Sequence, residues 1–165
     1  MPIERHFRMP IEVALGAIGE PGNRVFILQI REPGEQLTLK LEKTQVAGLI
    51  QYIALILGEI DRLGHLPKAF PIEPPIEPEF AIGEIGVAHL EAEDEVIIEL
   101  SELSPQDEEG SSVVLTISKE LAGTIAIQGT ELIEAGRPTC PLCGFAIEPE
   151  GHPCPRTNGY RAPTP

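Results

Sequence analysis

Leu37-Thr38-Leu39-Lys40-Leu41-Glu42-Lys43-Thr44-Gln45-Val46-Ala47 is the stretch that decides the fold. Its first half alternates apolar and polar residues, the period of a strand with one buried face. Its second half changes to helical spacing behind Thr44, a residue suited to the N-cap. A strand therefore runs straight into a helix. The same passage returns as Val113-Val114-Leu115-Thr116-Ile117-Ser118-Lys119-Glu120-Leu121-Ala122. The chain reads as two copies of one unit.

Upstream of the first copy, residues 11–18 and 24–31 read as strands, and 36–42 completes a meander. Glu20-Pro21-Gly22-Asn23 and Glu32-Pro33-Gly34-Glu35 join them. Proline at the second turn position and glycine at the third suit a type II turn, which needs a positive φ at the glycine. Gly16, Gly19 and Gly22 are not a phosphate loop. Such a loop leads from a strand into a helix, and this segment leads from strand to strand.

The spacing predicts a helix from Gln45 to about Leu63. Val46, Ile50, Ile53, Leu57 and Ile60 form its stripe, and Leu49, Leu55 and Ile56 widen it beyond a half-buried face. Either both sides of helix 45–63 are covered or it makes a homodimer contact. Residues 65–79 follow, with Pro67, Pro71, Pro74, Pro75 and Pro78. These exclude a helix and favour an extended, semi-rigid spacer across the fold.

The pattern then restarts. Residues 80–91, 95–103 and 112–117 read as strands, and Ser118 caps a helix over 119–135. Gly83-Glu84-Ile85-Gly86 looks like a second copy of Gly16-Ala17-Ile18-Gly19. The expected fold is α+β. Two βββα halves, 1–64 and 80–136, form an antiparallel sheet with helices on one face, and a tail of 137–165 follows.

All three cysteines lie in that tail, in Cys140-Pro141-Leu142-Cys143 and Gly151-His152-Pro153-Cys154. A C-x-x-C turn points two thiolates at one ion, and Zn²⁺ takes Cys and His in a tetrahedral set. His152 and Cys154, two residues apart, leave an extended segment on the same side. Cys140, Cys143, His152 and Cys154 are therefore the expected Zn²⁺ ligands. H-x-C is tighter than the usual second pair of a zinc finger, and the alternative is that His152 stands behind the ligands with water or another residue as the fourth. Four protein ligands leave no open coordination position, so the expected role is structural. His89-Leu90-Glu91 with the later C-x-x-C shares residue types with zinc deaminases, but without their local context.

The formal net charge is −14, which speaks against nucleic acid or an anionic membrane as partner. The tail is the exception: Arg137, Arg156 and Arg161 face Glu148 and Glu150. Arg156, Asn158, Tyr160 and Arg161 are its candidate contact surface for a protein or small anionic ligand. No secretory signal or spanning segment is visible, so the expectation is a soluble cytoplasmic protein.

Gly136-Arg137-Pro138, Cys140-Pro141, Cys143-Gly144, Gly151-His152, Cys154-Pro155-Arg156 and Asn158-Gly159-Tyr160-Arg161, with Gly16 to Arg24 and Phe26-x-Leu28-Gln29, carry a resemblance. The chain resembles the bacterial domain-of-unknown-function family numbered 3090 over nearly its whole length. That resemblance implies a cytoplasmic bacterial protein and supplies no mechanism. The leading functional expectation is a non-enzymatic adaptor or regulatory protein with a structural zinc site. The alternative is a small-molecule or nucleotide-processing enzyme. A pocket converging on His89, Glu91 and the metal would favour the enzyme.

Overall fold

The computed structural model describes residues 2–20, 22–60 and 62–135. Seven strands and two helices follow in the order β1 (Glu4–Arg8), β2 (Glu12–Ile18), β3 (Val25–Glu32), β4 (Glu35–Leu41), α1 (Lys43–Gly58), β5 (Phe80–Leu90), β6 (Glu95–Glu102), β7 (Ser112–Ser118) and α2 (Lys119–Ala135). The two βββα units expected from the repeat are present. Gly22 and Gly34 hold the positive φ that their turns require, 89° and 81°. Ser118 Oγ accepts the Leu121 amide hydrogen at the start of α2, as its capping role demands.

The sheet is mixed, which corrects the antiparallel expectation. The strand order is β1-β7-β6-β5-β4-β3-β2. Pairing is antiparallel inside each unit and parallel where the units meet, at Leu39 with Phe80 and Lys40 with Ala81. β1, not foreseen from sequence, pairs parallel with β7 from Glu4–Ser112 to Arg8–Thr116. Each unit thus ends by pairing with the segment that opens the other. β5 does this within one strand, shifting register between Ile82 and Glu84. At the intervening Gly83, a Cβ would sit 2.9 Å from the Leu103 Cα, so only glycine fits.

β1 and β2 stand at opposite edges of this order yet are separated only by residues 9–11. The step from Arg8 to Glu12 reaches at most about 14 Å. In a flat sheet seven strands wide the edges would lie about 29 Å apart. The sheet therefore curls strongly, bringing its two edges to within about 14 Å of each other at the Arg8–Glu12 end. Its inner face supplies Leu15, Leu28, Leu39, Val96, Ile98, Leu115 and their neighbours to one core cluster. Val46, Leu49 and Ile53 of α1 and Leu121, Ala122 and Ile125 of α2 belong to the same cluster.

Three details of the sequence reading change. α1 begins at Lys43 behind Glu42 as N-cap, where Gln45 Oε1 accepts the Glu42 amide hydrogen at 2.7 Å, rather than behind Thr44. α1 stops at Gly58 rather than near Leu63. Beyond it the chain is drawn to α2, where the Gly64 amide donates to Glu120 Oε1 at 2.9 Å. The proposed equivalence of Gly16–Gly19 with Gly83–Gly86 also fails. Gly16 pairs with Ile27 in β3, and the residue pairing with the corresponding Ile97 in β6 is Ala88. The wide apolar surface of α1 is largely used: Ile50 fills the space at Gly129, and Leu57 lies beside Gly123 of α2. Tyr52 and Leu55 stay exposed.

Residues 62–79 cross the fold in extended form, tied at intervals. Thr124 Oγ1 donates to Pro67 O at 2.7 Å, and Gln128 Nε2 to Phe70 O at 2.7 Å. Gln128 Oε1 accepts the Leu15 amide on the free edge of β2. The segment then passes onto the outer face of β2–β4. Ile72 packs over Gly16 so closely that a Cβ there would meet three of its carbons at 2.8 Å. Gln29, fully buried, accepts the Glu73 amide at 2.8 Å and donates to Glu73 O at 2.7 Å.

Candidate functional site

One recess, about 550 Å³, opens where the β5–β6 hairpin meets the end of α1 and the start of α2. Glu59, Ile60, Arg62, His89, Glu91, Asp94 and Lys119 line it. Strand alternation puts His89 on the inward side at the mouth of β5, where it is partly buried. Asp94 closes the hairpin turn at φ 55°, a left-handed position that Asp tolerates better than bulkier residues. Its Oδ1 lies 3.1 Å from His89 Nε2, and its Oδ2 accepts from Lys119 Nζ at 2.5 Å. The Lys119 ammonium, then the His89 ring, hold the Asp94 carboxyl below the usual aspartate range. Asp94 in turn raises Lys119.

A carboxylate on one ring nitrogen fixes an imidazole in orientation and leaves Nδ1 as the exchangeable position. The recess thus holds an oriented proton acceptor with Glu91 nearby. Among the described residues its lining contains no Ser, Thr or Cys to act as a nucleophile. Among the described residues no group of three or more His, Cys, Asp or Glu side chains is placed to hold a metal. The structure therefore brings together His89 and Glu91, the pair that the sequence singled out. It adds Asp94 and Lys119, which sequence reasoning missed. A left-handed Asp in a short turn is a visible signal, but the lysine that meets it is 25 residues away.

A second hollow, about 660 Å³, lies between Pro10 and Ile11, the β3–β4 turn, and Pro74–Pro75. Its charges serve the architecture. Arg31 reaches Glu12 and Glu73, both at 3.4 Å, and donates to Pro71 O. Arg5 of β1 clasps Glu35 and Glu32 on the β3–β4 hairpin. The Arg5 guanidinium holds the Glu35 carboxyl below its usual range, and Glu35 raises Arg5.

Cys140, Cys143, His152, Cys154, Arg156, Asn158, Tyr160 and Arg161 lie outside the described residues. What the structure shows is the point from which that segment departs. Arg24 Nη2 donates to Leu132 O in the last turn of α2 at 3.0 Å. Its guanidinium stands 5.0 Å from the Phe26 ring centroid, a cation–π distance. A long-range tie therefore fixes the end of α2, and its donor belongs to the glycine-rich Gly16–Arg24 segment.

Among the described residues no helix is long and apolar enough to cross a membrane. No curated protein and no solved structure matches the chain. The family described as Protein of unknown function (DUF3090) matches residues 5–154. That span begins in β1, contains every described element from β2 to α2, and continues through all three cysteines and His152. The chain belongs to the DUF3090 family.

Proposed function

We propose that the chain is a non-enzymatic adaptor or regulatory protein whose curled α+β body carries a zinc-braced C-terminal contact segment. The observation that supports this is the fixed departure point. Arg24 ties the last turn of α2 to β3, so whatever follows α2 starts from a rigid position. The four proposed ligands, Cys140, Cys143, His152 and Cys154, all fall within the span matched by the family. Three thiolates and an imidazole suit Zn²⁺, and a full set would brace the segment without activating water. Arg156, Asn158, Tyr160 and Arg161 follow directly and would form the surface for a protein partner. The acidic body argues against nucleic acid as that partner. A second copy, if one binds, would use Tyr52 and Leu55 on α1.

Metal analysis of untagged protein tests the reading. The expected result is about one zinc per chain, lost in Cys143→Ser. Freshly reduced wild-type protein without zinc would overturn it. One observation favours a second reading, an enzyme acting on a small molecule: His89, oriented by Asp94, shares a recess with Glu91. Saturable binding of a small molecule that His89→Ala abolishes, with zinc retained, would shift the assignment to that reading.

A further inference from the structure

The segment that crosses the first half has a second copy in the chain. At a fixed offset of seventy-five residues, Arg62 matches Arg137, Phe70 matches Phe145, and Pro78 matches Pro153. Between them Ile72-Glu73-Pro74 matches Ile147-Glu148-Pro149 without a gap. The same offset relates Ala47-Gly48 of α1 to Ala122-Gly123 of α2. The internal repeat therefore runs past the two helices into the residues that follow each of them.

In the first half, the seat of the Phe70–Pro74 segment is fully described. Ala14, Gln29 and Thr38 form one outward row across β2–β3–β4. Ile72 and the Glu73 backbone cover this face, and Gln29 and Thr38 are buried beneath them. The corresponding row of the second half is Gly86, Glu99 and Val114. Here Gly86 and Glu99 are exposed and Val114 is half-buried, as is Ile97 alongside. Among the described residues nothing lies over Gly86 within van der Waals range except the Glu99 side chain. One half of a repeated body thus has its outer face covered, and among the described residues the other is covered only in part: Thr116 is buried, whereas Gly86, Ala88 and Glu99 stay exposed.

We propose that Phe145–Pro149 seats on the outer face of β5–β7, as Phe70–Pro74 seats on β2–β4. Ile147 seats over Gly86, one outward position along from the place of Ile72, because the Ala88 Cβ fills the space that Gly16 leaves open to Ile72. Glu99 keeps the accepting half of the Gln29 clasp and can receive the Glu148 amide hydrogen. His6 and Arg8, on the outward side of β1 beside β7, face the Glu148 carboxylate from the edge. The occupant is a segment of this chain rather than a separate protein, because the repeat supplies it at nearly the same distance beyond its helix: Phe70 is twelve residues past Gly58 and Phe145 ten past Ala135. Gly144 and Gly151 bracket the segment, so the cysteine pairs on either side can still turn toward each other. The seat and the zinc site are separate claims.

Hydroxyl-radical footprinting of the full chain tests the seat, with zinc measured on the same samples. In wild-type protein Ile97 and Val114 should react several-fold more slowly than in the Phe145→Asp/Ile147→Asp variant. Ile27, under the first segment, should react equally in both and serves as the folding control. Gly86→Trp, which fills the seat from the sheet side, should raise the reactivity of Phe145. Equal reactivity of Ile97 in wild type and the double variant would overturn the proposal. Protection that grows with protein concentration would also overturn it, since the cover would then be a second copy. Persistence of the protection in zinc-free Cys143→Ser would support a seat that stands without the metal, and persistence in wild-type protein that itself holds no zinc would support the seat while the zinc reading fails.

Discussion

Replacing Gln29 with Leu tests whether the crossing segment is part of the folded body or merely lies on it. Gln29 sits in the middle of β3 with no exposed surface. Its amide accepts the Glu73 N–H at 2.8 Å, donates to Glu73 O at 2.7 Å, and reaches Thr38 Oγ1 at 3.2 Å. Leu keeps nearly the same volume and removes all three contacts. Each hydrogen bond contributes about 1 kcal/mol net, and a stranded buried partner costs about 1–3 kcal/mol. Added leucine burial offsets part of this, about 1 kcal/mol. The expected loss is about 2 kcal/mol, or roughly 4–8 °C in Tm for a chain of this size. Urea unfolding should show a lower midpoint at unchanged slope, and amide exchange at residues 72–75 should speed up. Gln36 supplies the control. It also donates to Glu73 O and Pro75 O, both at 3.1 Å, but on the solvent side, so Gln36→Leu should cost under about 0.5 kcal/mol. A Gln29→Leu protein within about 0.5 kcal/mol of wild type would refute the reasoning.

Three further outcomes follow from the geometry. Asp94 has a lowered folded pKa, so its pairing favours the folded state above the ordinary aspartate range and ceases to do so as pH falls through the lower folded value. Asp94→Asn should therefore flatten the acid limb of the stability profile and, because the same pairing raises Lys119, flatten the far alkaline limb as well, as thermal melts across pH will show. Glu35, lowered by Arg5, behaves in the same sense, and Glu35→Gln should free β1 from the β3–β4 hairpin, seen as faster amide exchange over residues 4–8. Two helix glycines should respond oppositely. Gly48 faces open space, and Gly48→Ala should raise stability by about 0.5–1 kcal/mol. At Gly129 a Cβ would sit 2.9 Å from Ile50 carbons and 3.3 Å from Leu15 Cδ1, so Gly129→Ala should lower Tm despite the better helix former.

The units were legible because their signals are local. Leu37–Leu41 alternates, Ser118 is a cap, and the Pro-Gly pairs set two turns within four residues each. What was not legible is how the units join. β1 is only five residues long and has a single fully buried side chain, Phe7, too short an alternation to stand out. Its partner β7 lies more than a hundred residues on. The parallel contact of β4 with β5 rests on two residue pairs, and no local pattern encodes so brief a pairing. The glycine similarity misled for a related reason. Gly16 is glycine because Ile72 presses on it, whereas Gly83 is glycine because the backbone at Leu103 crosses there. Two unrelated close approaches produced one shared letter pattern.

The same distinction governs the recess. His89 and Glu91 are two apart in sequence, one near the end of β5 and the other at the start of the hairpin turn, so sequence alone places them close together. Asp94 and Lys119 enter only because the hairpin turn is brought against the first residue of α2, a consequence of β7 running directly into that helix. The strand-to-helix passage that reveals the repeat thus also builds the recess. In the first half the corresponding lysine is Lys43, at the start of α1, and it meets no carboxylate within 4.0 Å among the described residues, whereas Lys119 does. The turn beside Lys43 carries Gly19 and Gly22 in place of Asp94. The corresponding regions of the two units therefore differ in charge while sharing one order of elements. The turn region of the second unit carries His89, Asp94 and Lys119, and that of the first carries Arg24, which ties the last turn of α2.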